Sequence, residues 1–360
     1  MNYHSRAAAL VSRIAEVECD AAIVTSLHDL RWLTGFTGSN GVAVVRAEQV
    51  TFITDFRYTE QAEQEVPADF ETVIADGPLK AEVSKVIAAG GTGARIAVDP
   101  SQVSALERDE ISEALDGAEL VSVKDLVTPL RAVKDDQELE AIADAAKLAD
   151  QAFLAVVENG LVGRTEASVA WDLEVAAREL GAERMSFESI IASGAHGALP
   201  HAQPRDVVIE EGQLVVIDWG VVLDGYCSDC TRTVATGELG EEEIRVHELV
   251  DAARLAGLAA VRPGLTGREV DAVSRGVIDE AGFGERFGHG LGHGVGLEIH
   301  EAPSVGKTGE MVLRENMVIT IEPGIYLPGK FGVRIEDLVV VKADGCEILT
   351  GLQRGLLTVG

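Results

Sequence analysis

In the first third of the chain, apolar residues fall into short runs whose period changes from one run to the next. Ala7 to Glu16 keeps helical spacing, whereas AAIVT, GVAVV and VTFIT are apolar or β-branched runs of strand length. Thr59 to Glu65 and Leu79 to Ala89 read as helices, RIAVD as a further strand, and Val103 to Leu115 as a last helix. Some strands follow one another with no helix between them, so the pattern predicts an α/β domain with a mixed sheet over residues 1–127. TGFTGSNG, Thr34 to Gly41, is glycine-rich but lacks the GxxxxGK-S/T order of a phosphate loop and is expected as a turn between strands.

Thr128, Pro129 and the charged run Lys134 to Glu138 mark a boundary, with a second domain over residues 128–360. Asp135 or Asp136 caps the long helix that follows, whose apolar positions Leu139, Ile142, Ala146, Ala149 and Phe153 sit near the 3.6-residue period. This domain carries a faint internal repeat. Gly160, Leu161, Gly163 and Arg164 recur as Gly264, Leu265, Gly267 and Arg268, and the same offset carries Val215 onto Ile319, Asp218 onto Glu322 and Gly220 onto Gly324. Each half reads as two helices followed by a β-hairpin: helices near 137–158 and 166–180 with strands in 213–236, then helices near 241–261 and 268–281 with strands in 317–342. Such an ααββ duplication packs most simply about a pseudo-twofold, with the sheet faces lining a shared cleft.

The hairpins carry the candidate chemistry. Asp224-Gly225 is a strong two-residue turn signal; it pairs Gly220 with Asp229 and sets Asp218 diagonally across from Asp229 on one face. In the second half, Glu322 and Glu336 flank a turn at Pro328-Gly329-Lys330 and face the same way. Four carboxylates gathered in apolar strands repel one another unless cations lie between them. The expected occupants are two divalent metal ions, manganese first, with cobalt, zinc or iron also suited to an oxygen-rich set holding one imidazole. Asp229 and Glu336 are the candidate bridges and His293 the nitrogen ligand. Asp337, on the opposite face from Glu336, is expected to cap or to lie at the surface.

His293 belongs to RFGHGLGHGVGLEIHE, Arg286 to Glu301. Glycine at every second position from Gly288 to Gly296 costs a helix roughly 1 kcal/mol each time. The segment is therefore a loop or extended strand, and it spreads His289, His293 and His300 along a line on which at most one or two reach the same ion.

Charge and composition narrow the partners. With 60 acidic against 30 basic side chains the formal charge is −30, which argues against nucleic acid and anionic membranes. No apolar run is long enough to span a bilayer, and charges interrupt the N-terminus where a signal peptide is apolar, so a cytoplasmic location is expected. Cys227 and Cys230 form an isolated CxxC without a second pair to complete a zinc site, and no GxSxG elbow occurs.

These residues resemble the pita-bread metallopeptidases, the family of Xaa-Pro aminopeptidase, prolidase, methionine aminopeptidase and creatinase, over nearly the whole chain. Asp218, Asp229, His293, Glu322 and Glu336 stand in the order of that family's five metal ligands, and His201 in SGAHGALPHAQP stands at its substrate-binding histidine. His289, His300 and Arg334 match further active-site residues of the proline-specific branch. His196 departs from the family's usual Asn, and Cys230 from its usual Met. The resemblance implies a creatinase-like N-terminal domain that serves oligomerisation, as a homodimer or homotetramer, and covers the cleft, with Trp32 or Phe36 of a neighbouring subunit reaching the site. It implies a pita-bread catalytic domain acting on short proline-containing peptides. In it Glu322 moves the proton of the attacking water, His201 or His300 stabilises the oxyanion, Asp218 meets the substrate amine, and His289 with Arg334 walls the proline pocket. LRWLTGFTGSNG is similar to the short bacterial aminopeptidases, so an Xaa-Pro aminopeptidase is expected, with an Xaa-Pro dipeptidase as the alternative and a non-catalytic binding module as a remote one.

Overall fold

The computed structural model describes residues 2–89, 93–115 and 117–360. The chain forms two compact units, Met1–Arg131 and Ala132–Gly360, the division falling a few residues past the 127/128 boundary suggested by the sequence. The first unit is built on a six-stranded mixed sheet. Its strands are β1 (Ala21–Val24), β2 (Val42–Arg46), β3 (Gln49–Asp55), β4 (Glu71–Ala75), β5 (Arg95–Val98) and β6 (Glu119–Ser122), in the order β4-β3-β2-β1-β5-β6. The β1–β2 and β2–β3 pairs are antiparallel, and β3–β4, β1–β5 and β5–β6 are parallel.

Two outer strands, β4 and β6, escape the sequence pattern because they lie at the sheet edges, where ETVIA and ELVS bury little. A helix, Leu27–Thr34, also escapes it. Ser26 caps its start and Gly35, at φ 83°, its end, so TGFTGSNG follows a helix rather than a strand. Trp32 and Phe36 are buried inside this unit, Trp32 beneath the Arg6 guanidinium and Phe36 against Phe52. Neither side chain is free to reach a neighbouring subunit, which corrects that expectation.

The second unit contains the two ααββ halves. The first half has helices Asp136–Val157 and Glu166–Glu179 and a three-stranded antiparallel sheet whose central strand, Leu214–Trp219, lies between Cys230–Ala235 and Ile190–Ser193. Phe153 stacks on Trp219 with ring centroids 4.6 Å apart, and the indole N–H donates to the Ala149 carbonyl, so helix and sheet share one core. The second half has helices Glu241–Ala260 and Gly267–Glu280 and a five-stranded sheet. There Val318–Ile321 pairs with Asp337–Lys342, while Gly324–Leu327 and Phe331–Arg334 continue as a separate ribbon. Reciprocal capping boxes at Asp135/Glu138 and Thr266/Glu269 start one helix in each half.

Asp337 is neither a cap nor a surface residue. It is fully buried and accepts hydrogen bonds from Arg232, Arg254, Arg354 and the Thr350 hydroxyl. The face of its strand opposite Glu336 meets protein instead of solvent, and the cations come from three elements: Arg232 from the strand Cys230–Ala235, Arg254 from the helix Glu241–Ala260 and Arg354 from the C-terminal segment. Among the described residues, no helix is long and apolar enough to cross a membrane.

Candidate metal centre

The first hairpin turns through Asp224 and Gly225, both at positive φ (48° and 76°), as a two-residue turn matched to strand twist requires. The register that follows sets Leu223 opposite Tyr226 and Asp218 opposite Thr231. Asp229 therefore lies two residues from the partner of Asp218, on the same face. In the second hairpin Ile321 is opposite Asp337 and Gly324 opposite Arg334, which leaves Glu322 and Glu336 facing each other where the sheet passes into the ribbon.

Thr231 joins the two hairpins. Its hydroxyl donates to Glu336 Oε2 at 2.7 Å, and its carbonyl accepts from the Glu336 N–H at 3.1 Å. Carboxylate oxygens of Asp218, Asp229 and Glu336 come within 4.8 Å of one another. His293 Nε2 lies 3.3 Å from Glu322 Oε1 and 3.5 Å from Asp229 Oδ2. Two adjacent donor groups result, and Asp229 belongs to both.

The electrostatics of this cluster favour cations. Burial, reinforced by the neighbouring acids, pushes Asp229 and Glu336 well above the usual carboxylate range; burial also raises Asp218, against the pull of Arg334. Burial acts on Glu322 in the same direction, but His293, His289 and Arg334 together outweigh it and bring Glu322 down to about 2. Asp218 Oδ1 and Glu336 Oε1 are buried without a hydrogen-bond partner, and an orphaned carboxylate oxygen is costly unless a cation meets it. His293 Nδ1 donates to the Gly294 carbonyl at 3.1 Å, which turns Nε2 toward the acids; against burial, Glu322 raises this imidazole, so without a cation Nε2 carries a proton shared with the carboxylate. A metal fits in place of that proton, between Nε2 and the carboxylates.

The other candidate residues line the same cavity of about 490 Å³, beside Phe187, Ile190 and Ser304. His201 and His300 make no hydrogen bond among the described residues; the His300 ring packs edge-on against His293 at 4.3 Å. His289 is fixed differently, with Nδ1 at the Gly290 carbonyl and Nε2 accepting from the Tyr326 hydroxyl at 2.9 Å. Arg334 is committed to protein partners. It donates to Asp218 Oδ2 at 2.5 Å, to Tyr326 at 2.8 Å, to the Pro200 carbonyl at 3.2 Å and to Thr231. Its guanidinium holds Asp218 in place and is not a free wall of a proline pocket. Cys227 and Cys230 are buried free thiols, Cys227 pushed up to about 11 by burial, and both sulfurs face backbone carbonyls.

A family model described as metallopeptidase family M24 matches residues 140–343. The chain belongs to this family. A second model, the creatinase/prolidase N-terminal domain, matches residues 6–133, so the M24 catalytic domain follows a creatinase-type N-terminal domain. An uncharacterised peptidase of Bacillus subtilis (strain 168) is 39% identical over 94% of this chain and 95% of its own length. An Xaa-Pro dipeptidase of Pyrococcus horikoshii is 42% identical over 69% of this chain and 71% of its own. Among solved structures, an Xaa-Pro dipeptidase from Bacillus anthracis superposes with a TM-score of 0.95 at 38% identity, covering 99% of this chain and 100% of that one. An X-Pro aminopeptidase from Thermotoga maritima gives 0.89 at 39% identity, covering 97% and 100%. The protein is thus an M24 metallopeptidase of pita-bread fold.

Sequence reasoning passed over Thr231 and Tyr326, which hold the M24 site together. For Thr231 a signal existed, since the turn register places it opposite Asp218. Tyr326 had none, because its partner His289 lies in a distant loop.

Proposed function

We propose that this M24 metallopeptidase is a dinuclear Xaa-Pro aminopeptidase that hydrolyses the bond between an N-terminal residue and a following proline in short peptides. The observation that carries the metal assignment is the clustering of Asp218, Asp229 and Glu336, with orphaned oxygens on Asp218 and Glu336, beside His293 Nε2. These residues, with Glu322, would hold two divalent ions, manganese first and cobalt, zinc or iron as substitutes. Such ions supply Lewis acidity toward a carbonyl and lower the pKa of water toward neutrality.

The chain's own groups do the rest. Glu322, ionised at neutral pH, takes a proton from the attacking water and passes it to the leaving proline nitrogen. His201 and His300 present free ring nitrogens to the cavity, where an N–H donor stabilises charge developing on the carbonyl oxygen. Asp218, braced by Arg334, receives the substrate's free amine and so measures one residue from the N-terminus. His289, braced by Tyr326, packs against the proline ring.

Names of relatives favour a second reading, an Xaa-Pro dipeptidase. A dipeptidase needs a cation for the substrate's terminal carboxylate. Among the described cavity-lining residues the one guanidinium is Arg334, and its donors are already engaged, which supports the aminopeptidase. Assays of Xaa-Pro, Xaa-Pro-Yaa-Zaa and Xaa-Ala-Yaa-Zaa with the metal-loaded protein test this. Cleavage of the first two with release of one residue is the expected result. Cleavage of the dipeptide alone selects the dipeptidase, and no cleavage of any proline peptide overturns both readings.

A further inference from the structure

We infer that Glu166, acting with His196, is a positioning residue for His201, clamping shut the loop that carries this histidine into the cavity. The inference rests on the reading of His201 as a group that meets the substrate carbonyl.

His201 sits in an irregular stretch after the short 3-10 turn Gly194–Ala198, with no hydrogen bond of its own to fix the ring among the described residues. What holds the stretch is a single carboxylate at the start of the helix Glu166–Glu179. Glu166 Oε1 accepts from the Ser193 N–H and hydroxyl, both at 2.8 Å, and from an Arg205 guanidinium nitrogen at 3.2 Å. Its Oε2 accepts from His196 Nδ1 at 3.0 Å and from Arg205 N and Nε, both at 3.1 Å. The donors bracket His201 on both sides, Ser193 and His196 before it and Arg205 after it.

The Glu166 side chain has no exposure at all. Burial raises its pKa, but Arg205 and Ser193 outweigh burial, so the net shift is downward and Glu166 stays ionised. An ionised carboxylate has no proton to give, so His196 must hold its proton on Nδ1. A carboxylate with no exposure that lost these donors would be left as an unpaired buried charge, so its bonds hold the span from Ser193 to Arg205 together.

A double-mutant cycle tests the inference on the metal-loaded enzyme. Glu166→Gln keeps the shape and removes the charge. It is expected to lower kcat on an Xaa-Pro peptide by about 10- to 100-fold, with little change in KM, and to have less than about a threefold effect in a His201→Ala background, as residues acting through one group are non-additive. An equal loss in both backgrounds, or no loss in either, overturns the clamp. If Glu166→Gln fails to fold, His196→Ala carries the same cycle, and His196→Asn, which keeps a donor, should recover most of the lost rate; failure of that recovery also overturns it. The ring signals of His201 in NMR spectra give a readout free of activity. With diamagnetic zinc in place of manganese, they should broaden or average in Glu166→Gln and stay sharp in the parent, and identical signals count against the clamp even if no proline peptide is cleaved.

Discussion

Glu322 is half-buried and Asp150 buried, and their neighbours send them in opposite directions. Glu322 falls to about 2 because His293, His289 and Arg334 outweigh its burial, so it is ionised across the neutral range. Glu322→Gln should lower kcat by about 10²- to 10⁴-fold, the usual range for losing a general base; near-normal turnover would remove the base assignment. Asp150 is pushed up to about 6 by burial, with one oxygen at the Gly351 N–H and the other buried without a partner. A folded-state value above the unfolded one means the native state binds the extra proton. The penalty is therefore full above about pH 6 and vanishes below about pH 4. Asp150→Asn should accordingly gain up to about 3 kcal/mol in urea unfolding at pH 7.5 and nothing at pH 4. A gain independent of pH would show that packing and not ionisation is responsible.

At the scale of elements, each hairpin turn sets a register and each register aims a pair of acids. The side-chain period of a strand is two, so a one-residue slip moves a whole set of side chains to the other face. Inserting one glycine between Asp224 and Gly225 should turn Asp229 away from Asp218 and cost at least one bound metal ion per chain, measured by elemental analysis of protein purified without chelator. Retention of the full metal content would mean that the turn does not govern the site. Periodicity sufficed for these hairpins and for the four long helices of the catalytic domain, whose starts carry cap residues. It did not suffice for Glu71–Ala75 and Glu119–Ser122, edge strands that bury too little to leave an apolar signature.

For the whole molecule, the metal centre links ligand, pH and stability. Without cations, burial and mutual repulsion raise Asp218, Asp229 and Glu336 above their ordinary values. Their charged forms therefore destabilise the native state at neutral pH, and this cost is relieved as pH falls through the raised values toward about 4. Chelated protein should gain stability on mild acidification, whereas metal-loaded protein should not. Restoring the metal at neutral pH to a hundred times its dissociation constant should add about 2.7 kcal/mol per site. Thermal melts with and without chelator at pH 5.5 and 7.5 measure both effects, and identical melts at pH 7.5 would exclude a metal bound to the folded state.

By itself the amino-acid sequence determined what depends on neighbours along the chain. Turn chemistry at Asp224-Gly225 and strand alternation set which acids share a face, alternating glycines kept Arg286 to Glu301 out of a helix, and the duplicated pattern marked the two halves. Only the tertiary structure decided what covers the faces that periodicity leaves blank. Asp337 is buried among three arginines because a strand of the first half, a distant helix and the C-terminal segment pack there. Trp32 and Phe36 lie in a core, Arg334 is consumed by Asp218 and Tyr326, and Glu166 gathers Ser193, His196 and Arg205. Alternation along a strand tells one face from the other, but whether the second face meets water or protein depends on chain far away in sequence.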